Sequence, residues 1–403
     1  MRKFRQHNVI AQLSKKFFCC WMMLLFVFFV GLAQPAKRRP ITASSSSFEQ
    51  LTKRADEARQ AEKLDEAIKL YQQALKQKPN GVEGWWALGT IFYQLDRYAE
   101  GRGAFERLVT LEPKGGVGWA FLGLCEYQLK DYPNALSHLL RGRELGLGSD
   151  KEIVAVALYH TGILLNRTEQ FELAFAVLSH AAKLQGESPA LFQALGLTLL
   201  RLPYLPPETP PAKREVVLKT GRAGFYMATE QRPIATQEFS ELLAVFPKEP
   251  NVHYAHGIFL MRDAPDEALQ VFEQELQLSP QHVFARLQIA FEALKRNAPA
   301  MGLARAEEAV KLAPNLFAAH NALGRILLDL GQTERAIQEL EIGIKQAPDS
   351  PEMYFALARA YSKAGRKVEA DRARAEFMRL DKIRRAKSES FVGEKPDEKP
   401  KPQ

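Results

Sequence analysis

The sequence predicts an all-α fold, a right-handed α-solenoid of about nine antiparallel helix pairs with a proline-rich break near its middle. Three observations predict it. Trp85-x2-Leu88-Gly89 returns as Trp119-x2-Leu122-Gly123, thirty-four residues further on. Small residues recur in a fixed phase, as at Gly89, Gly123, Gly162 and Gly324. Prolines close successive units at Pro79, Pro113, Pro247, Pro280, Pro314 and Pro348. A fixed period of this size marks a stacked repeat, in which each unit buries its apolar face only against its neighbours.

Each feature has a mechanical reason. A Gly or Ala on the first helix and an Ala on the second let two backbones approach. Large apolar residues then fill the space on either side. A closing Pro stops the second helix, because it lacks an N–H and clashes with the preceding turn. The copies run in order from about Phe48. Ala67, Tyr71 and Pro79 mark the first; Trp85, Gly89, Phe105 and Pro113 the second; Trp119, Gly123 and Ala135 the third. Leu158, Gly162, Ala174 and Leu178 mark a fourth. A fifth opens with Phe192-x2-Leu195-Gly196 and breaks off. The pattern resumes with Ala223, Ala235, Phe239 and Pro247, then Gly257, Ala268, Phe272 and Pro280. Ala290, Ala306 and Pro314 follow, then Leu323, Gly324, Ala336, Leu340 and Pro348, and last Tyr354, Leu357, Ala358 and Ala370.

The interruption spans residues 202–213 (LPYLPPETPPAK), with five prolines through which no helix persists. It is expected to remove the second helix of the fifth copy and to lie between sub-solenoids at 48–201 and 214–387. A surface insertion and a semi-rigid hinge are the two readings of it. Residues 34–47 read as a flexible linker, since TASSSS is a polar spacer. A capping helix is expected to run to about Lys387, and the Lys-, Glu- and Pro-rich residues 388–403 to be disordered.

Residues 1–16 carry five basic and no acidic side chains, and residues 17–33 (FFCCWMMLLFVFFVGLA) are almost wholly apolar. This reads as a signal peptide or signal anchor over residues 1–33. Either version exports the repeats, to the periplasm or to a membrane-anchored place outside the cytoplasm, with membrane association through residues 17–33. Lys37, Arg38 and Arg39 run against that orientation, because positive charge favours the inner side.

The formal charge is +8. Residues 1–47 hold eight Lys or Arg and no acid, so they account for all of it. A nucleic-acid binder carries a basic stripe on its folded part, so nucleic acid is not an expected partner. No phosphate loop, GxSxG, HExxH or paired CxxC motif occurs. No catalytic, cofactor or metal site is expected. Cys125 falls on a predicted first helix and reads as a small core residue. His253-x2-His256 would place two imidazoles on one helical face. They fall in the packing slots held by Trp85 and Leu88, and the further ligands of a zinc site are missing.

The Trp-x2-Leu-Gly starts, the small residues and the closing prolines resemble the tetratricopeptide repeat, over about residues 48–384. Together with the N-terminal segment, the chain resembles exported bacterial proteins of that family. The resemblance implies a non-enzymatic scaffold whose first helices line a concave groove for a peptide or protein segment. By the same helical phase that groove would be lined by Trp86, Thr90, Tyr93, Leu124, Tyr127, Tyr159, Asn166 and Arg167 in the early repeats. Tyr254, Met261, Phe284, Phe291, Asn321, Arg325, Phe355, Arg359 and Lys363 would line it later. Asn321, Arg325, Arg359 and Lys363 would form an anion-binding corner. Leu287 and Phe291 stand where a chaperone-type clamp needs polar groups, which argues against that ligand. The alternative reading is an accessory subunit of an envelope enzyme or of a polysaccharide-export or secretion system.

Overall fold

The computed structural model describes residues 43–391, with side chains over 47–385. The reading of residues 1–33 as a signal therefore lies outside the described residues. Among the described residues there are nineteen α-helices and no strand. Four pairs come first: α1 (Ala43–Gln60) with α2 (Leu64–Gln77), α3 (Val82–Gln94) with α4 (Tyr98–Leu111), α5 (Gly116–Gln128) with α6 (Tyr132–Leu145), and α7 (Lys151–Arg167) with α8 (Phe171–Gln185). Then α9 (Pro189–Leu199) stands alone. Five pairs follow: α10 (Arg214–Ala228) with α11 (Arg232–Val245), α12 (Val252–Leu260) with α13 (Pro265–Leu278), α14 (Val283–Lys295) with α15 (Pro299–Leu312), α16 (Phe317–Asp329) with α17 (Thr333–Gln346), and α18 (Pro351–Lys363) with α19 (Lys367–Phe391).

Local rules set the ends of these helices. Most first helices end on a residue of positive φ, as at Glu62, Asp96, Lys130, Glu230, Asn297 and Gly331. The next N–H then bonds five residues back, as from Arg97 to Phe92 and from Gln332 to Leu327. This closure satisfies carbonyls that the helix leaves open and turns the chain into the second helix. Several second helices carry Pro in their first turn, where the missing N–H costs nothing.

Within a pair the contact is close. A methyl group on Gly89 would sit 2.7 Å from the Phe105 ring, and one on Gly324 would sit 2.6 Å from Leu340. Phe105 and Leu340 are fully buried there. Between pairs, the first helix reaches back to the closing proline. The Trp85 indole donates to the Pro79 carbonyl at 2.8 Å, and Trp119 to Pro113 at 3.0 Å. His253 and His320 place Nε2 at 2.9 Å from the carbonyls of Pro247 and Pro314. Imidazole thus does in two repeats what indole does in two others.

The described residues form two compact units. One runs to Thr168 and takes in Ala176–Gly186; the other holds Glu169–Phe175 and the chain from Glu187 onward. The proline-rich segment 202–213, open to reading as an insertion or as a hinge, does not lie at the boundary between the units. It lies inside the second, where it forms two short 3-10 turns, Pro206–Glu208 and Pro211–Lys213. The reason is direct packing of α9 on α10. A methyl group on Gly221 would fall on the Phe192 carbonyl oxygen, and one on Gly196 on that of Val217. Gln193 donates to the Pro206 carbonyl at 2.7 Å and to Thr209 Oγ1 at 3.1 Å, which pins the segment down.

Two terminal boundaries also differ from expectation. Helix α1 begins at Ala43, inside the expected linker, because Ser disfavours helix only weakly and Phe48 anchors the turn. Lys78 Nζ lies 5.0 Å from the Phe48 ring centre. Helix α19 runs to Phe391, into the stretch expected to be disordered; residues 392–403 lie outside the described residues.

Two glycine substitutions separate these demands. Gly103 on α4 has nothing within 4 Å of an added methyl group. Gly103→Ala is expected to stabilise by roughly 0.5–1 kcal/mol through helix propensity. Gly221→Ala is expected to destabilise by roughly 1–3 kcal/mol or more, because backbone must move. Urea unfolding of the two variants checks both signs.

Candidate binding surfaces on the first helices

Contacts that skip a helix join first helices to one another: α5 to α7 in the first unit, and α10 to α12, α14 to α16 and α16 to α18 in the second. First helices are therefore the closely spaced side of each unit, where a groove would form.

In the first unit the expected lining is mostly turned upon itself. Trp86 meets Phe121 edge-on at 5.3 Å and Phe105 at 5.9 Å. Thr90 Oγ1 donates within its own helix and accepts from Arg59 at 3.2 Å. Tyr127 lies 4.7 Å from the His160 ring, and Tyr159 lies 5.3 Å from it. The Arg167 guanidinium sits 4.9 Å from the Tyr132 ring centre. These five residues keep partial exposure. Tyr93, Leu124 and Asn166 do not: they are 5%, 3% and 1% exposed. Their place as groove residues is corrected to core. Tyr93 shows why, since Phe121 from α5 and Tyr98 from α4 close over it at 5.7 and 5.4 Å. Burial pushes its hydroxyl well above the usual tyrosine range. Cys125 is likewise core, fully buried, with its thiol pushed up by burial.

In the second unit Tyr254 is 5% exposed, tilted against the His282 ring at 4.6 Å. Asn321 is 8% exposed and Arg325 half-buried. Of the four residues of the expected anion corner, two line a common cleft. Arg359 and Lys363 line a cleft of about 670 Å³ at α16, α18 and α19, and Asn321 and Arg325 lie outside its lining. Phe355, Phe377, Met378 and Ala358 form its apolar surface, with Arg374 and Asp329 at the rim beside Arg359 and Lys363. Arg359 pairs with Asp329 at 3.3 Å, and Lys363 Nζ donates to the Leu328 carbonyl at 2.9 Å. Phe355 and Met378 are 51% and 64% exposed, unusual for side chains of that size. Phe377 and Met378 were not read as site residues. Their signal was an apolar pair in an otherwise charged helix, RARAEFMRLDK.

His253 and His256 take the packing roles their slots imply. His256 lies tilted against Phe239 at 5.4 Å and stacked on Phe259 at 6.4 Å. Burial, with His253 second, lowers its pKa to about 4. The folded state thus favours neutral imidazole. Its contribution is complete above the ordinary histidine pKa of about 6.5 and is lost as pH falls from there toward about 4. His256→Leu is expected to flatten the fall in stability over that window. Urea midpoints measured across it, beside the unsubstituted protein, check the slope.

Two stretches match tetratricopeptide-repeat family models, residues 52–116 and 317–360. No curated protein matches the chain. Among solved structures, a double mutant of MamA from strain RS-1 is 20% identical, with a TM-score of 0.40 over 43% of this chain and 97% of its own. MamA from Desulfovibrio magneticus RS-1, from residue 41 to its end, is 21% identical, with a TM-score of 0.37 over 43% and 96%. Another MamA crystal structure is 15% identical, with a TM-score of 0.38 over 42% and 94%. The thirty-four-residue phasing, the paired helices and the two family matches agree, and the chain carries tetratricopeptide repeats.

Proposed function

We propose that this protein is a non-enzymatic scaffold that binds a peptide segment of a partner protein, and that the cleft at α16, α18 and α19 is its main site. Tetratricopeptide repeats are protein-interaction modules in general. The observation that carries the finer reading is the pair of exposed apolar side chains, Phe355 and Met378, beside three cations and one acid. Apolar anchors in a concave patch with a polar rim are what a binding hot spot requires. The charge balance selects an apolar residue flanked by carboxylates. In the first unit, by contrast, the aromatic side chains already spend their faces on one another.

Export is part of the proposal. It is supported by the basic residues 1–16 followed by the apolar residues 17–33. Among the described residues no helix is long and apolar enough to cross a membrane, so an anchor would have to be residues 17–33. Fractionation of the native host with mass measurement of the mature protein tests it. Repeats protected from protease in intact cells and accessible once the envelope is opened are expected; recovery with the cytosolic fraction would contradict it.

Random peptides displayed on phage and selected on the full-length protein test the site. Selected peptides are expected to share an apolar residue with neighbouring Asp or Glu. Phe355→Asp is expected to weaken them by about tenfold or more, the effect of losing a hot-spot anchor. Trp86→Ala is expected to leave them unchanged. Peptides indifferent to Phe355→Asp would place the site elsewhere.

A further inference from the structure

We propose that Phe171, Tyr254 and Phe284, with Glu172 at their rim, form a cation-binding box in the second unit. Arg201 occupies it as an internal ligand, and an arginine side chain of a partner can take its place. Helix α9 ends as most other first helices do. Arg201 has positive φ (54°), and the Leu202 N–H bonds back to the Leu197 carbonyl at 2.9 Å. The turn is built, but the second helix does not follow.

At the matching turns this residue points to solvent: Asp96, Lys130, Glu230 and Asn297 are all exposed. Arg201 departs from them, with its side chain only 11% exposed. Its guanidinium lies 3.6 Å from the Phe284 ring centre, 4.5 Å from Phe171 and 5.8 Å from Tyr254. Nη1 pairs with Glu172 at 2.6 Å.

Three rings present their electron-rich faces to one cation, and one carboxylate neutralises it. That is the arrangement by which proteins recognise cationic groups. Tyr254 and Phe284 stand on first helices, α12 and α14, the groove side of the unit. Phe284 stays only half-covered and Glu172 is 63% exposed, so the box opens to solvent at its rim. A guanidinium is the matching ligand because its flat face stacks while its edge pairs with Glu172. The reading of this chain as a peptide-binding scaffold supplies only the source of that arginine; the box is tested without it.

The experiment uses full-length Arg201→Ala and N-acetyl-arginine methylamide as probe, followed by calorimetry. Saturable binding is expected, at least about tenfold tighter than to the unsubstituted protein, where Arg201 competes. It is expected to vanish in Arg201→Ala/Glu172→Gln and for the uncharged citrulline analogue. A folded Arg201→Ala protein that does not bind the probe, or binds citrulline equally, overturns the proposal. Arg201→Met keeps the buried stem and is measured alongside. If both variants unfold and the probe does not restore them, Arg201 is a fixed strut and the proposal fails.

Discussion

The short distance between paired helices is the constraint from which the rest of this structure follows. Gly89 leaves room for Phe105, and Gly324 for Leu340, at separations a methyl group would close. A large side chain can then be fully buried in a pair that contributes only two helices to its own core. Dispersion and burial at such contacts carry the stability, since one buried Phe is worth several kcal/mol against truncation. The Trp or His contact to the closing proline carbonyl sets the spacing between successive pairs. Neither contact needs residues far away in sequence, which is why the repeat can be read locally.

Much of the fold was legible for that reason. The recurrence of Gly89, Gly123 and Gly162 within successive first helices, and the closing prolines, marked the pairs without any long-range information. His253 could be assigned to the indole slot because it kept the phase of Trp85 and Trp119. The proline-rich segment was legible as the end of a helix. Its consequence was not: Gly221 stands outside the phase, and only in the folded chain does it meet Phe192. A missing second helix therefore produced direct packing of two first helices, with the interruption folded into the second unit.

The binding surface was less legible, and the cause is geometric. A helical wheel assigns Tyr93, Leu124 and Asn166 to the groove side of their helices, but burial depends on how closely the next first helix lies. The same phase selects Phe355, Arg359 and Lys363, which line the cleft beside α18, the last first helix among the described residues. Phe377 and Met378 come from a helix whose role was read as capping alone. Arg201 was hidden for a different reason, since a turn residue gives no sign of the helix its side chain will reach.

Hydrogen exchange of the full-length protein, alone and with a selected peptide bound, tests the central claim most directly, because it reports where a ligand orders the chain without substitution. The account predicts slowed exchange concentrated in α18 and α19, around Phe355 and Phe377. Slowing confined to α3, α5 and α7, with α18 and α19 unchanged, would contradict it and return the groove of the first unit as the site.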